Sequence, residues 1–244
     1  MKADPEAQRR LLDLQAIDTT LAQLDHRRRN LPELAEIDRL GKAQAGLEDE
    51  RATAQAAVND LDRDIARIDR DVEQVRIRKD RDQGRLDAGT GTAKDLEALL
   101  HEIGTLNRRQ GELEDSELEL MERKEQAQAT LEEAERRVRE THLDLEAAQR
   151  RRDEALAAIA KDEEFRMAGR RPLAADLPAD LIALYEKVRA QTGGFGTAAL
   201  RGNRCEGCRL ELSGSELAAL RASAPDEVIR HEECRRILVR VTEK

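Results

Sequence analysis

Residues 84–94 read Gly84-Arg85-Leu86-Asp87-Ala88-Gly89-Thr90-Gly91-Thr92-Ala93-Lys94, with three glycines and two threonines in eleven positions. Such a cluster marks a turn. Its weight comes from what flanks it. Before it, Leu47, Ala54, Val58, Leu61, Ile65, Ile68, Val72 and Val75 recur in a rhythm of fours and threes. After it the rhythm restarts at Leu96, Leu99, Ile103, Leu106, Leu113, Leu120, Ala127, Leu131, Ala134, Val138, Leu145 and Ile159. An apolar seam repeating every 3.5 residues is the pattern of a left-handed coiled coil. Two such helices around one short turn bury each other's seams by folding back as an antiparallel hairpin. Arms of about 45 residues would each run roughly 70 Å, at about 1.5 Å per residue.

Upstream, Leu14, Ile17, Leu21, Leu24 and Leu31 follow the same spacing until Pro32 interrupts. Proline disfavours helical geometry at the residue before it, so a kink is expected at 30–33, with Asn30 or Leu31 near a cap. The phase shifts afterwards, through Ile37 and Leu40. Downstream, Gly169, Arg170, Arg171 and Pro172 suggest a second break over 165–177. Leu181, Leu184, Tyr185 and Val188 then form one face of a short helix that Gly193 and Gly194 close. The expected organisation is a hairpin over 1–164, a linker over 165–177, and a buttress helix with a small terminal module over 178–244.

Composition supports a thin seam and argues against a thick core. Of the 244 residues, 39% are charged and 1% aromatic, with no Trp. Large aromatic side chains supply much of the burial in globular cores, whereas Leu, Ile, Val and Ala are enough for a seam. The formal net charge is −9, yet residues 189–244 carry ten Lys/Arg against eight Asp/Glu, so the acidic excess lies in the helices. A strongly basic footprint, as expected of a general DNA-binding protein, is absent. The N-terminal Met1-Lys2-Ala3-Asp4 stretch has no apolar run, and no segment approaches the roughly 20 apolar residues needed to span a bilayer. Three cysteines, an odd number, suit a metal site in a reducing compartment better than a disulfide framework. These features predict a soluble cytoplasmic protein.

All three cysteines sit in the terminal module, as Cys205-Glu206-Gly207-Cys208 and His231-Glu232-Glu233-Cys234. Two ligands two residues apart form a knuckle. Two knuckles facing each other make a cage of three thiolates and one imidazole, which suits one tetrahedral Zn²⁺. Four protein ligands leave no open position for water, so the zinc is expected to be structural. A redox role for the Cys205/Cys208 pair would call for a thioredoxin-like alternation of strands and helices, and that alternation is missing. Between the knuckles, Ser213-Gly214-Ser215-Glu216 is a capping box opening a helix to about Ala222. Val228-Ile229-Arg230 and Ile237-Leu238-Val239 read as short strands. Strand, knuckle and strand around a metal describe a zinc ribbon. The fold class is therefore mainly α: a long antiparallel coiled-coil hairpin plus a small C-terminal zinc ribbon.

Several segments carry a wider resemblance. They are Lys94-Asp95-Leu96-Glu97-Ala98-Leu99-Leu100-His101-Glu102-Ile103, Glu112 through Glu122, Cys205 through Leu210, and Asp226 through Arg240. Together they resemble the bacterial family of coiled-coil hairpin proteins with a C-terminal C4-type zinc ribbon, across almost the whole chain. The resemblance implies a ribbon that contacts nucleic acid or protein, a link in some members to flagellar gene regulation or secretion machinery, and no catalytic activity. Two departures stand out. His231 occupies the position where the family usually has a third cysteine. Arg235 follows Cys234 where the family usually has glycine, and Arg209 likewise follows Cys208. Glycine is the residue that most easily takes a positive φ, so the second knuckle is expected to be strained or slightly opened.

No nucleophile–base pair or phosphate loop is visible; Gly89-Thr90-Gly91-Thr92 lacks the Gly-Lys-Ser/Thr ending. The arginine clusters of the helices read as a solvated face. In the ribbon, Arg201, Arg204, Arg209, Arg235, Arg236 and Arg240 are candidates for phosphate or partner contact. Three functional classes stay open: a non-enzymatic regulatory scaffold binding nucleic acid, RNA in preference to DNA, through its ribbon; a protein-binding adaptor or chaperone for a transcription or secretion component, using ribbon and coiled-coil arm; and, behind these two, a metal enzyme. No membrane partner is expected, and the hairpin leaves room for pairing into a homodimer.

Overall fold

The computed structural model describes residues 1–241. Its elements are α1 (Pro5–Arg29), α2 (Pro32–Asp87), α3 (Ala93–Ala175), α4 (Ala179–Gln191), β1 (Thr197–Arg201), β2 (Arg204–Cys205), α5 (Gly214–Ala222), β3 (Ile229–Arg230) and β4 (Ile237–Arg240). Two compact units result. One comprises residues 35–149, the other residues 1–34 together with 150–244.

The 35–149 unit is the hairpin. Its turn is tighter than the glycine cluster suggested, because α2 continues to Asp87 and α3 begins at Ala93. Gly89 takes φ of 63° in the reversal. Thr92 and Asp95 close the new helix start, the Asp95 carboxylate accepting from the Thr92 N–H at 2.9 Å. The seam is buried as the heptads require, with Leu40, Leu47, Val58 and Val72 from α2 and Ile103, Leu106, Leu113, Leu131 and Ala134 from α3. Cross-helix ion pairs flank it, among them Lys124–Asp62 at 2.6 Å and Arg137–Glu50 at 2.7 Å. Pairs this exposed contribute little individually; the apolar seam holds the hairpin.

The other unit begins with α1. Asp4 caps it by accepting the Glu6 N–H at 2.8 Å, and Pro5 takes the first turn. Asn30 ends it one residue before Leu31, and α2 starts at Pro32, as the proline signal indicated. Leu24 and Leu31 pack on Ile159. A larger core joins Leu11 and Leu14 of α1 to Leu181, Tyr185 and Val188 of α4 and to Ile237 of β4. The helix α4 thus buttresses the ribbon.

Two expectations are corrected here. Residues 165–177 do not form a linker: α3 runs through Gly169 and Pro172 to Ala175. Tertiary contacts override the local signal. Arg170 ion-pairs with the buried Asp18 at 2.6 Å, and Leu173 and Ala174 pack on the main core. The division of the chain shifts with it, from an expected boundary near 164–178 to one that groups residues 1–34 with the described residues from 150 onward. The first residues even join the ribbon, Ala3 N–H donating to Asp226 O at 2.7 Å and Val228 N–H to Met1 O at 3.1 Å.

The ribbon sheet has the order β2-β1-β4-β3. Its central pair, β1 with β4, is parallel, from Thr197 opposite Ile237 to Leu200 opposite Arg240. The outer pairs are antiparallel. No helix among the described residues is long and apolar enough to cross a membrane.

Candidate metal centre

Each knuckle grows from a short strand. The segment Arg204-Cys205-Glu206-Gly207-Cys208-Arg209 leaves β2, and Arg230-His231-Glu232-Glu233-Cys234-Arg235 leaves β3. Aligned on their ligands, the two are one motif repeated. The first ligand is fully buried in both, Cys205 and His231 each at 0% exposure, while Cys208 and Cys234 are half-buried. The Cys205 N–H donates to Leu210 O at 3.0 Å, and the His231 N–H to Arg236 O at 3.0 Å. The Arg209 N–H donates to Cys205 O at 2.7 Å, and the Arg235 N–H to His231 O at 2.9 Å. Arg204 Nε donates to Arg209 O at 3.0 Å, and Arg230 Nε to Arg235 O at 2.8 Å. The arginine ahead of each knuckle therefore ties off the carbonyl behind it.

Of the two expected outcomes for the second knuckle, strained or slightly opened, the symmetry fits the first. Arg209 and Arg235 adopt φ of 63° and 61°, the left-handed turn that glycine usually serves, and both loops close with matching hydrogen bonds. The strain is accepted in the backbone of both knuckles and opens neither.

The four ligand atoms of Cys205, Cys208, His231 and Cys234 lie within 4.8 Å of one another. Cys205 Sγ and Cys234 Sγ are 3.9 Å apart, and His231 Nδ1 is 3.3 Å from Cys208 Sγ and 3.1 Å from Cys234 Sγ. A tetrahedron with Zn–S near 2.3 Å and Zn–N near 2.0 Å has edges of about 3.5–3.8 Å, so the cage has the right size. The donors match as well, being three soft sulfurs and one imidazole. Burial pushes the Cys205 thiol up to about 11, with the Cys234 sulfur adding to the effect, although the Cys208 and Gly207 N–H groups oppose it. Burial also works against ionisation of Cys208, but the Leu210 N–H, the two neighbouring thiols and the Arg236 charge outweigh it and lower that group. Crowded sulfurs aimed at one point are reconciled as thiolates by a divalent cation. The four residues form a site for one structural zinc.

Small residues let the knuckles approach the sheet. A Cβ on Gly207 would meet the Ala198 Cβ at 2.8 Å and the Arg236 Cδ at 3.1 Å. The six arginines expected at the surface divide. Arg201, Arg204, Arg209 and Arg235 are exposed. Arg236 lies over the Phe195 ring at 5.3 Å from its centroid. Arg240 donates to Ala224 O and Pro225 O, each at 3.1 Å, and to Ser223 Oγ. Those last two are structural. Sequence reasoning missed Arg230, which the six-residue repeat would have flagged. It also missed Glu216 outside its capping box: Glu216 Oε1 accepts the Glu232 N–H of the second knuckle at 2.9 Å.

Comparison with known proteins agrees with this architecture. A Mycobacterium tuberculosis protein is 40% identical over 241 residues, covering 99% of this chain and 98% of that protein. A Mycobacterium leprae protein is 32% identical over 217 residues, 89% of this chain and 93% of its own length. A solved structure from Mycobacterium smegmatis has a TM-score of 0.86 at 38% identity, over 98% of this chain and 100% of that one. CT398 from Chlamydia trachomatis shares the fold, with a TM-score of 0.67 at 16% identity over 97% of this chain and 98% of that one. The description "C4-type zinc ribbon domain" matches residues 204–238. The description "CT398-like coiled coil hairpin domain" matches residues 14–193, and the chain belongs to that family.

Proposed function

We propose that the chain is a non-catalytic regulatory scaffold whose zinc ribbon binds RNA through phosphate contacts made by the arginines around its knuckles. One observation carries the reading. Arg201, Arg204, Arg209, Arg230 and Arg235 are exposed, and none has a carboxylate within ion-pair range among the described residues. Most arginines of the hairpin differ, Arg51, Arg63, Arg136 and Arg137 among those that pair with Glu or Asp, although Arg39, Arg70, Arg108 and Arg123 are exposed without such a pair among the described residues. Arg204 and Arg230 are held by Nε alone, so their terminal nitrogens remain for a forked contact to phosphate. With 1% aromatic residues the chain has few rings on which bases could stack, which favours backbone recognition.

The test is RNA binding by the full zinc-loaded chain over a range of salt. Substituting Arg201, Arg209 and Arg235 by Gln leaves the Arg204 and Arg230 ties in place. Each lost phosphate contact is expected to weaken binding and to flatten the log K against log salt slope by about 0.7. Absence of salt-sensitive RNA binding, or an unchanged slope in the variant, contradicts the proposal.

A second reading rests on the hairpin. Leu118 and Met121 are 60% and 50% exposed beside Asp69, Glu117, Glu122 and Glu125. An apolar pair within a rim that is acidic apart from Lys124, itself paired with Asp62, suits a basic amphipathic segment of a protein partner. Crosslinked protein lost from a Leu118→Glu/Met121→Glu variant, and kept by the three-arginine variant, would favour this adaptor role.

A further inference from the structure

His231 is fully buried, and its two ring nitrogens have different surroundings. Nδ1 faces the sulfurs of Cys208 and Cys234. Nε2 is buried without a hydrogen-bond partner. The carboxylate within ion-pair range of it, among the described residues, is Glu216, with Oε1 at 3.9 Å. The Glu216 side chain is 10% exposed and is fixed from two other sides. Its Oε2 accepts the Ser213 N–H at 2.9 Å, and its Oε1 accepts the Glu232 N–H at 2.9 Å.

We propose that Glu216 is a positioning residue for the metal centre, whose carboxylate accepts the Nε2–H of His231 and so holds the imidazole in the tautomer that presents Nδ1 to the ion. A buried N–H without an acceptor keeps its full desolvation penalty, and a movement of about 1 Å brings the pair into hydrogen-bond range. The carboxylate also raises the basicity of the coordinating nitrogen, as outer partners of metal-bound histidines do. Because the same carboxylate caps α5 and grips the second knuckle, it ties metal seating to the helix between the knuckles. It also accounts for the histidine. A thiolate at 231 would face Glu216 as a second negative charge, whereas the imidazole faces it with an N–H.

The experiment uses the full chain and measures zinc affinity by competition with a chromophoric chelator. Glu216→Ala should lose about 10- to 100-fold in affinity. Ser213→Ala removes the helix cap alone and should keep the affinity. In a His231→Cys background no N–H is left to accept, so Glu216→Ala should lose only what its hold on the Glu232 N–H contributes, a clearly smaller loss than in the wild type. Long-range ¹H–¹⁵N spectra of the zinc-loaded wild type should show a protonated Nε2 and a coordinated Nδ1. Should Glu216→Ala fail to fold, Glu216→Gln keeps its shape and should show a smaller loss that shrinks further in the His231→Cys background. Equal losses in both backgrounds, equal losses from Glu216→Ala and Ser213→Ala, or zinc on Nε2 would each overturn the proposal.

Discussion

Arg209 and Arg235 hold left-handed backbone geometry that a glycine adopts freely. For a residue with a Cβ that geometry costs about 1–2 kcal/mol, partly offset because glycine loses more freedom on folding. Arg235→Gly is therefore expected to stabilise the zinc-loaded protein by about 0.5–1 kcal/mol, read as a higher denaturant midpoint. Arg235→Val should lower the midpoint. A lower midpoint for the glycine variant would show that the arginine side chain contributes more than its backbone strain costs. At this scale the ligands were legible in the sequence, because the two-residue spacing in each knuckle reports its geometry directly. The left-handed turns were legible only as a departure from glycine. How the backbone would resolve them depended on hydrogen bonds that no local pattern carries.

Among the elements, α1, α3 and α4 meet at a buried polar group. Asp18 is 1% exposed and accepts the Tyr185 hydroxyl at 2.7 Å and Arg170 Nε at 2.6 Å. Gln15 supports the same junction, its Oε1 accepting the Gly196 N–H at 2.7 Å and its Nε2 donating to Gly194 O at 3.1 Å. The close approach needs glycine at 196, where a Cβ would lie 2.7 Å from the Tyr185 ring. Burial first, and then the hydrogen bond to Asp18, push the Tyr185 phenol well above its ordinary value. The neutral phenol is favoured in the folded state, so its contribution to stability is complete below the unfolded value of about 10 and is lost as pH climbs above it. Tyr185 is the chain's one tyrosine and there is no Trp, so tyrosinate absorbance reports on it alone. That absorbance is expected to appear only as helical signal is lost. Half-titration near pH 10 with the structure intact would contradict the account of this junction. The junction was not legible in the sequence. Heptad spacing located the helices, but the Asp18–Arg170 pair spans 152 positions, and that pair helps carry α3 past Pro172.

For the whole molecule, the two compact units rest on different physics. The hairpin over 35–149 is held by an apolar seam, whereas the other unit adds a metal cage and a thin sheet, in its ribbon, to the core that Leu11, Leu14, Leu181, Tyr185, Val188 and Ile237 form. Structural zinc contributes on the order of 10–16 kcal/mol in small metal-folded modules. Chelation is thus expected to raise amide exchange across 197–241 while most of the helical circular dichroism persists. Parallel loss of both signals would mean that the hairpin depends on the metal. The hairpin was readable because coiled-coil periodicity is a long, redundant signal. The parallel β1–β4 pair was not, because its partners lie 40 positions apart and only one of them, β4, had an apolar run long enough to notice. The pairing of Met1 to Ala3 with the ribbon carried no local signal at all.

The most direct measurement is zinc X-ray absorption on the intact chain, combined with metal content. One zinc per chain is expected, with three sulfurs near 2.3 Å and one nitrogen near 2.0 Å in its coordination shell. Two sulfurs with two lighter ligands, or a chain that retains no zinc after purification, would contradict a centre built from Cys205, Cys208, His231 and Cys234.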